Sequence, residues 1–479
     1  MSSSAGGREN RRSSLVGSLR HGTGVSGVFC GVALAIVLAP AAARAEPPTQ
    51  PDADTYSVHA RSATYLQLYQ RALLPGPGGA IVATTTPAPA TEYVSLRADD
   101  IDAPWKKDSL DFELSAWGDA LMGEAGQTDR RIDGDLQTAN VRYRAGPGWV
   151  RLGRQVYAGG AARFSRFDGL SGGGKLSMGL GGELYGGLSV LPRWDARPGY
   201  YQLGSASDTL LRDPRALPEP SRSGYWLAGG RIFYDKGPVI AGLSMHEQHD
   251  GGELARRNLG ADLRLTPFDK ASLGGTALLD LDSAGLADGR VWIDSTPLEH
   301  VTLGGEFLHT EPALFLSRQS VLSVFSTDKF DELGSTASWQ LDKLVGLEGG
   351  GYIELYSDGS KGVRGKIAIK LTPDRDGNTL LRLGYTRVRA VDNGYHSVRN
   401  SLRQRIARTL AATAEAYLYV YDQAIRGYNV SSVYAGTLEW DPRSDLGLLW
   451  GASFADSPYA RADVQTLLRL VYNFNREAP

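Results

Sequence analysis

Along most of this 479-residue chain, apolar and polar residues alternate one by one in segments of about ten residues. From Leu110, one face carries Leu110, Phe112, Leu114 and Ala116, and the other Asp111, Glu113, Ser115, Trp117 and Asp119. Val301, Leu303, Gly305 and Phe307 oppose Thr302, Gly304 and Glu306 in the same way. Val363, Gly365, Ile367 and Ile369 oppose Arg364, Lys366, Ala368 and Lys370, and Leu381, Leu383 and Tyr385 oppose Arg382, Gly384 and Thr386. Further on, Leu410, Ala412, Ala414, Ala416, Leu418 and Val420 oppose Thr413, Glu415, Tyr417, Tyr419 and Tyr421. A period of two belongs to β-strands and excludes amphipathic helices over these stretches. A soluble sandwich or propeller also alternates, but its strands usually hold about five or six residues. The runs at 408–422 and 460–474 extend to about fifteen, beyond the length that a tilted strand needs to cross a bilayer. Some apolar faces finish in aromatics, as Tyr434, Gly436, Leu438 and Trp440 do, which suits a water–membrane interface.

The only long apolar run lies near the start. Arg8, Arg11, Arg12 and Arg20 precede the apolar stretch 28–38, which is followed by Pro40 and the small-residue segment Ala41-Ala42-Ala43-Arg44-Ala45. That order is the order of a secretory signal peptide over residues 1–45, cut between Ala45 and Glu46. The stretch is short of the roughly 20 residues that a spanning helix needs. The one cysteine, Cys30, leaves with it, so the mature chain has no disulfide, cysteine-ligated metal or cysteine nucleophile. The first 45 residues carry five Arg and one Glu, leaving about −6 on residues 46–479 against −2 for the whole chain. No strong pull toward nucleic acid follows from such a charge. A mean hydropathy of −0.25 is what alternating strands give, where a helical membrane protein needs continuous apolar stretches.

Proline marks a recurrent turn, in Leu265-Thr266-Pro267-Phe268-Asp269, Ser295-Thr296-Pro297-Leu298-Glu299, Leu371-Thr372-Pro373-Asp374 and Trp440-Asp441-Pro442-Arg443. Further short turns are expected near Pro147, Gly237-Pro238, Asp342-Lys343 and Arg408. Longer loops are expected at 75–90, 122–131, 192–222, 311–329 and 392–397. Short turns at one end and long loops at the other are the asymmetry of outer-membrane barrels. The expected fold is an all-β transmembrane antiparallel up-and-down barrel over residues 57–475, after a short disordered segment at 46–56. Its strand count is even, 18 to 22, with both ends in the periplasm and the Gly-rich region 169–188 as the ambiguous pair.

Two segments carry a resemblance. The last strand, Val464 to Phe474, puts Leu468, Leu470, Tyr472 and Phe474 on one face and Gln465, Arg469 and Asn473 on the other. It resembles the C-terminal assembly signal by which outer-membrane proteins of Gram-negative bacteria reach the barrel-assembly machinery, although five residues follow Phe474 here. The segment Arg151-Leu152-Gly153-Arg154-Gln155, with Arg163, Arg166 and Asp168-Gly169 after it, is similar to porin-like families of the alginate-export and substrate-specific type. That resemblance implies a monomeric channel with arginines in its constriction, and makes Arg163, Arg166 and Asp168 candidate constriction-loop residues. If Val150 and Leu152 face lipid, Arg151, Gly153 and Gln155 face inward. Arg154 then falls on the lipid phase, which demands a rim position or a bulge.

A lumen of about 20 strands is too wide for side chains to fill. Residues 46–56 are too few for a globular plug. The expected function is therefore a porin-like channel, passing small hydrophilic solutes by diffusion across the lipid of the bacterial outer membrane. Candidate pore-lining residues are Asp111, Glu113, Arg142, Arg144, Arg151, Gln155, Glu306, Arg364, Lys366, Arg382 and Arg469, whose facing rows of opposite charge would set a transverse field. The Pro-, Arg- and Asp-rich loop 192–222 is open to two readings, folded into the lumen or solvated outside. An outer-membrane hydrolase would need a positioned His, Ser, Asn or Asp group. The mature histidines are His59, His246, His249, His300, His309 and His396. Their one close pair, His246-Glu247-Gln248-His249, has neither the spacing nor the helix of a zinc site, so no metal, cofactor or catalytic residue is expected. A barrel that serves adhesion or surface assembly without transport is the other alternative.

Overall fold

The structure is a computed structural model, and it describes residues 56–69, 71–75, 81–102, 108–123, 132–190, 224–315, 329–374, 376–390, 393–458 and 462–477. The expected signal peptide, its cleavage site at Ala45 and Glu46, most of the 46–56 segment and the loop 192–222 lie outside these residues.

Every alternating segment becomes a strand of one closed sheet. It holds 22 strands, all antiparallel to their neighbours, at the upper end of the expected range. The first, β1 (Ser57–Leu68), pairs on one side with β4 (Pro89–Asp102) and on the other with the last, β24 (Asp463–Glu477), so the barrel closes within one chain. Between β1 and β4 the loop carries a small separate hairpin, β2 (Arg71–Pro75) and β3 (Ile81–Thr85). The next strands are β5 (Ser109–Leu121), β6 (Ile132–Ala145), β7 (Gly148–Gly159), β8 (Arg163–Lys175), β9 (Leu180–Ser189), β10 (Trp226–Lys236), β11 (Val239–Asp250) and β12 (Glu253–Phe268). Then follow β13 (Ala271–Asp280), β14 (Gly285–Leu298), β15 (Val301–Thr310), β16 (Phe330–Gln340), β17 (Val345–Tyr356) and β18 (Lys361–Leu371). The circuit ends with β19 (Thr379–Arg389), β20 (Gly394–Ala407), β21 (Leu410–Ile425), β22 (Tyr428–Arg443), β23 (Leu446–Asp456) and β24. The ambiguous Gly-rich region is a real pair, β8 and β9. Residues 394–397, expected in a loop, open β20; β20 pairs with β19 from Gly394 onward, which outweighs the turn-forming Asn393-Gly394 dipeptide.

Closure leaves the sheet without a first or last edge strand, which a bilayer demands because lipid offers no hydrogen bonds. The outer face is apolar and exposed, as at Ile232, Leu243, Val291, Ile293, Leu333 and Ile353. Aromatics border it at both ends, with Tyr234, Phe268, Trp339 and Trp440 toward the short turns and Trp226, Tyr385 and Phe454 toward the loops.

The prolines act where the strands end. Strand pairing becomes irregular between Leu265 and Phe268, between Ser295 and Leu298, and between Trp440 and Arg443, each step containing a proline that has no N–H for the ladder. The residue before each proline donates its N–H to the preceding turn: Thr266 to Pro238 O, Thr296 to Lys270 O, Thr372 to Leu344 O and Asp441 to Thr409 O, at 2.7–2.8 Å. Successive turns at this end are thereby tied to one another.

Candidate pore and its constriction

The inward phase of the strands is polar, and its charges are sorted around the wall. Strands β14–β17 present Asp288, Asp294, Glu306, Glu332, Glu348 and Glu354 on that phase. Strands β18–β20 contain no Asp or Glu and present Arg364, Lys366, Lys370, Arg382, Arg399, Arg403 and Arg405. The expected rows of opposite charge therefore lie side by side instead of facing each other across the pore. Pairs form across both edges of the basic strands: Arg364 meets Glu332 at 2.8 Å and Arg382 meets Glu348 on one side, and Arg403 meets Glu439 of β22 at 2.8 Å on the other. Arg290 meets Glu306 at 2.8 Å. Among the described residues Lys366 forms no ion pair and turns to the Tyr352 hydroxyl at 3.2 Å.

On the other side, Asp111 is buried and accepts from Arg142 at 2.6 Å and from Arg144 at 2.7 Å. Glu113 accepts from Thr138 and Asn140, both at 3.3 Å. Arg151 lies 5.5 Å from the Trp149 ring centre, a cation–π contact. Arg469 is on the inward phase of β24, opposite Tyr65 of β1. Gln155 points inward but is closed off, with its amide bonded to Gly169 O at 3.0 Å and Ser171 Oγ at 2.5 Å.

The narrowing comes from the hairpin of β7 and β8. Pairing between β6 and β7 stops at Ala139 and Arg154, and pairing between β8 and β9 starts only at Phe167 and Ser189. Above those points β7 and β8 pair with each other up to Gly159 and Arg163. Freed from both neighbours, the hairpin bends into the lumen. Tyr157 stacks on Tyr185 with ring centres 4.1 Å apart, and Ala162 packs with Phe167, Tyr185 and Leu227. The tip, a 3-10 turn at Gly160–Ala162, reaches the inner wall of β11–β14. There the Ala161 N–H donates to Ser244 Oγ at 2.7 Å, Ala161 packs with Leu278 and Ala287, and Arg163 meets Asp288 at 3.0 Å. The fit needs glycine. Gly160 has φ +50, and a Cβ on it would stand 2.3 Å from Ser244 Oγ.

This bend explains why Arg154 sits on the lipid phase. Arg154, Arg166 and Asp168 occupy that phase of the hairpin, but the hairpin has left the wall, so they meet the upper part of β6. Arg154 binds Asp168 at 2.6 Å and Asp135 at 3.5 Å, and Arg166 binds Asp135 at 2.6 Å. Both guanidiniums also reach Leu136 O, at 3.0 and 3.4 Å. The cluster seals the gap between β6 and the bent hairpin. Arg163 is at the tip, while Arg166 and Asp168 lie in β8 behind it. Alternation marks the anomaly at Arg154 without locating the bend, whose local signs are Gly153 (φ +119) where the hairpin leaves β6 and Gly159-Gly160 at its tip.

The close histidine pair falls apart on the strand. His246 points inward, is fully buried and lies 3.0 Å from the Tyr185 hydroxyl; His249 stacks outside on Trp226 at 4.2 Å.

Fold and lumen together define a transmembrane β-barrel of the outer-membrane type. No protein-family model matches the chain, and no curated protein matches its sequence. Among solved structures it is similar to OccAB4 of Acinetobacter baumannii, at 10% identity over 90% of this chain and 100% of that one, with a TM-score of 0.41. It is also similar to the outer membrane protein opdK of Pseudomonas aeruginosa, at 8% identity over 88% and 99%, with a TM-score of 0.41. OccK7 (OpdD) of the same organism gives 8% over 88% and 98%, with a TM-score of 0.43.

Proposed function

We propose that the protein is a porin-like channel of the bacterial outer membrane, through which small hydrophilic solutes diffuse past the β7–β8 hairpin. The observation that carries this reading is the closed 22-stranded wall, apolar outside and charged inside, with the β7–β8 hairpin turned inward to lean on β11–β14. A barrel of this width holds water unless it is plugged. Solute choice then follows from width and charge at the narrowing. Residues 1–45 serve as the export signal, Leu468, Leu470, Tyr472 and Phe474 as the face that the assembly machinery reads, and the chain works as a monomer. The resemblance around Arg151 and Asp168-Gly169 to channels of the alginate-export and substrate-specific type supports the same reading. Single-channel recording of the refolded mature chain in a planar bilayer tests it. Stepwise openings are expected, and a silent but folded barrel would move the reading to adhesion or surface assembly.

A further inference from the structure

The outer surface of β18–β21 changes character row by row toward the loops. Ile367, Tyr385, Val398 and Leu418 stand opposite one another across the four strands, all of them exposed. The next outward row holds Gly365, Arg387, His396 and Val420. Above it Arg389 stands between Val363 and Gly394. Lys361 lies two residues nearer the loop than Val363, so it is a diagonal neighbour of Arg389, at about 7–8 Å. Asp422 lies over Gly394, where a Cβ would stand 2.2 Å from its Oδ2. The missing Cβ lets this carboxylate reach across β20, and Arg387 donates to both its oxygens at 2.8 and 2.7 Å. The His396 ring is held beside the pair, with Nδ1 2.6 Å from the Tyr385 hydroxyl. Asn393 Oδ1 accepts from the N–H of Gly394 at 2.9 Å and of Gln423 at 3.0 Å, which ties the β19–β20 loop to β21. Asp422 is thus occupied by Arg387, while Arg389 and Lys361 are exposed and form no ion pair among the described residues. Elsewhere toward the loops, Arg257 is taken by Glu247 at 2.9 Å and Lys329 by Glu311 at 3.7 Å.

We propose that the outer face of β18–β21 holds a phosphorylated lipid of the outer leaflet, lipopolysaccharide, with a headgroup phosphate on Arg389 and Lys361 and acyl chains along Ile367, Tyr385, Val398 and Leu418. The inference rests on the orientation of the barrel in the outer membrane, loops outward, and is independent of conduction. Such a lipid has two parts, and the surface answers both in the right order. Acyl chains need an apolar wall below the membrane interface, and Tyr385 marks that interface with its ring toward lipid and its hydroxyl on His396. Phosphate oxygens need fixed cations just above it. A guanidinium and an ammonium on neighbouring strands supply charge-assisted hydrogen bonds, the guanidinium in a planar fork that suits phosphate. Anionic headgroups are attracted to basic clusters at this depth. Asp422 would repel a phosphate were it free, and its bidentate bond to Arg387 removes that charge from the approach. A free inorganic anion would leave the apolar rows below without a role. A protein partner would have to displace lipid from those same rows.

Native mass spectrometry of the folded mature barrel, released from a non-ionic detergent and titrated with bisphosphorylated lipid A, counts bound lipid directly. Saturable binding of the lipid is expected. Its affinity should fall at least about ten-fold when Lys361→Gln and Arg389→Gln are combined, and should be unchanged when Lys270→Gln and Lys343→Gln remove the same charge at the short turns. Both pairs are exposed side chains, and heat-modifiability confirms that each variant is folded. Dephosphorylated lipid A on the wild type gives an arm that needs no substitution, and it should bind as weakly as the intact lipid binds the Lys361 and Arg389 variant. Equal affinity of the two double variants, or of the two lipids, overturns the site. Displacement of the lipid by an equal concentration of inorganic phosphate would make it an anion site and overturn the choice of lipid. Conductance of the same variants keeps the two readings apart: lost lipid binding with unchanged conduction supports the site and leaves the channel standing, whereas a silent barrel that binds the lipid removes only the channel.

Discussion

The amide of Ala161 donates to Ser244 Oγ at 2.7 Å, joining the tip of the β7–β8 hairpin to a strand that is third in order beyond β8. The Ser244 side chain is buried there and also bonds to Gly260 O at 3.3 Å. Ser244→Ala removes the acceptor and leaves a buried N–H unpaired, which costs about 1–3 kcal/mol of docking. The barrel itself keeps all its strand pairs. The expected result is a folded protein with unchanged heat-modifiability whose single-channel traces show added flicker and a higher mean conductance. Traces indistinguishable from the wild type would show that this bond does not hold the tip.

Arg154 and Asp168 test the seal behind the hairpin. By strand phase alone, Arg154→Leu would improve the fit to lipid. In the folded barrel it removes the guanidinium that binds the Asp168 carboxylate at 2.6 Å, while Asp135 keeps Arg166. A loss of about 2–4 kcal/mol is expected, toward the low end for a buried pair because Asp168 keeps some access to water. Urea titration of the refolded protein reads it, and Arg154→Leu combined with Asp168→Leu should recover part of the loss. A more stable single variant would mean that the hairpin remains in the wall.

Glycine substitutions should split sharply by position. A Cβ on Gly169 would meet Gly186 O at 2.1 Å, whereas one on Gly365 meets nothing within 4 Å. Gly169→Ala is expected to block assembly into a heat-modifiable barrel, since the clash is with backbone that cannot rotate away. Gly365→Ala should assemble normally. The electrophoretic shift between folded and unfolded forms decides both.

Acid should expose the turn between β18 and β19. The Asp374 carboxylate accepts from the N–H of Asn378 at 2.6 Å and of Thr379 at 2.5 Å. The nearby Thr379 side chain first, and these backbone N–H groups with it, hold its pKa below the usual carboxylate value. A depressed folded pKa means that the contribution is present above the unfolded value of about 3.9 and is lost as pH falls through the folded one. Asp374→Asn should therefore melt below the wild type at neutral pH, with the gap closing in acid below about pH 4. A gap that does not change with pH would remove the carboxylate from the account.

Much of this architecture is legible in the sequence because a membrane barrel leaves strand residues two choices, lipid or lumen. Leu468 and Leu470 declare the outer face, and Asp111 and Arg469 the inner, from alternation alone. Turn prolines such as Pro267 and Pro297 fix the ends, since their missing N–H breaks the ladder wherever they fall. What alternation cannot carry is departure from the wall. Arg154, Arg166 and Asp168 break the pattern, but only the loss of partners on both sides of the hairpin shows that their face meets β6. Lateral sorting of charge is equally hidden. Glu348 and Arg382 are 34 residues apart and meet only because β17 and β19 flank β18 with Ala368 between them. The seat of the Trp292 indole on Gly274 is hidden too, since register alone brings the two residues together.

The central claim is an open pore narrowed by the β7–β8 hairpin, and single-channel conductance in a planar bilayer tests it most directly when the wild type is recorded beside a variant lacking Gly160–Ala162. The account predicts stepwise openings from the wild type and larger steps from the shortened hairpin, because the tip no longer reaches Ser244 and Asp288. Equal conductance from the two proteins, or silence from both as folded, heat-modifiable barrels, would contradict it.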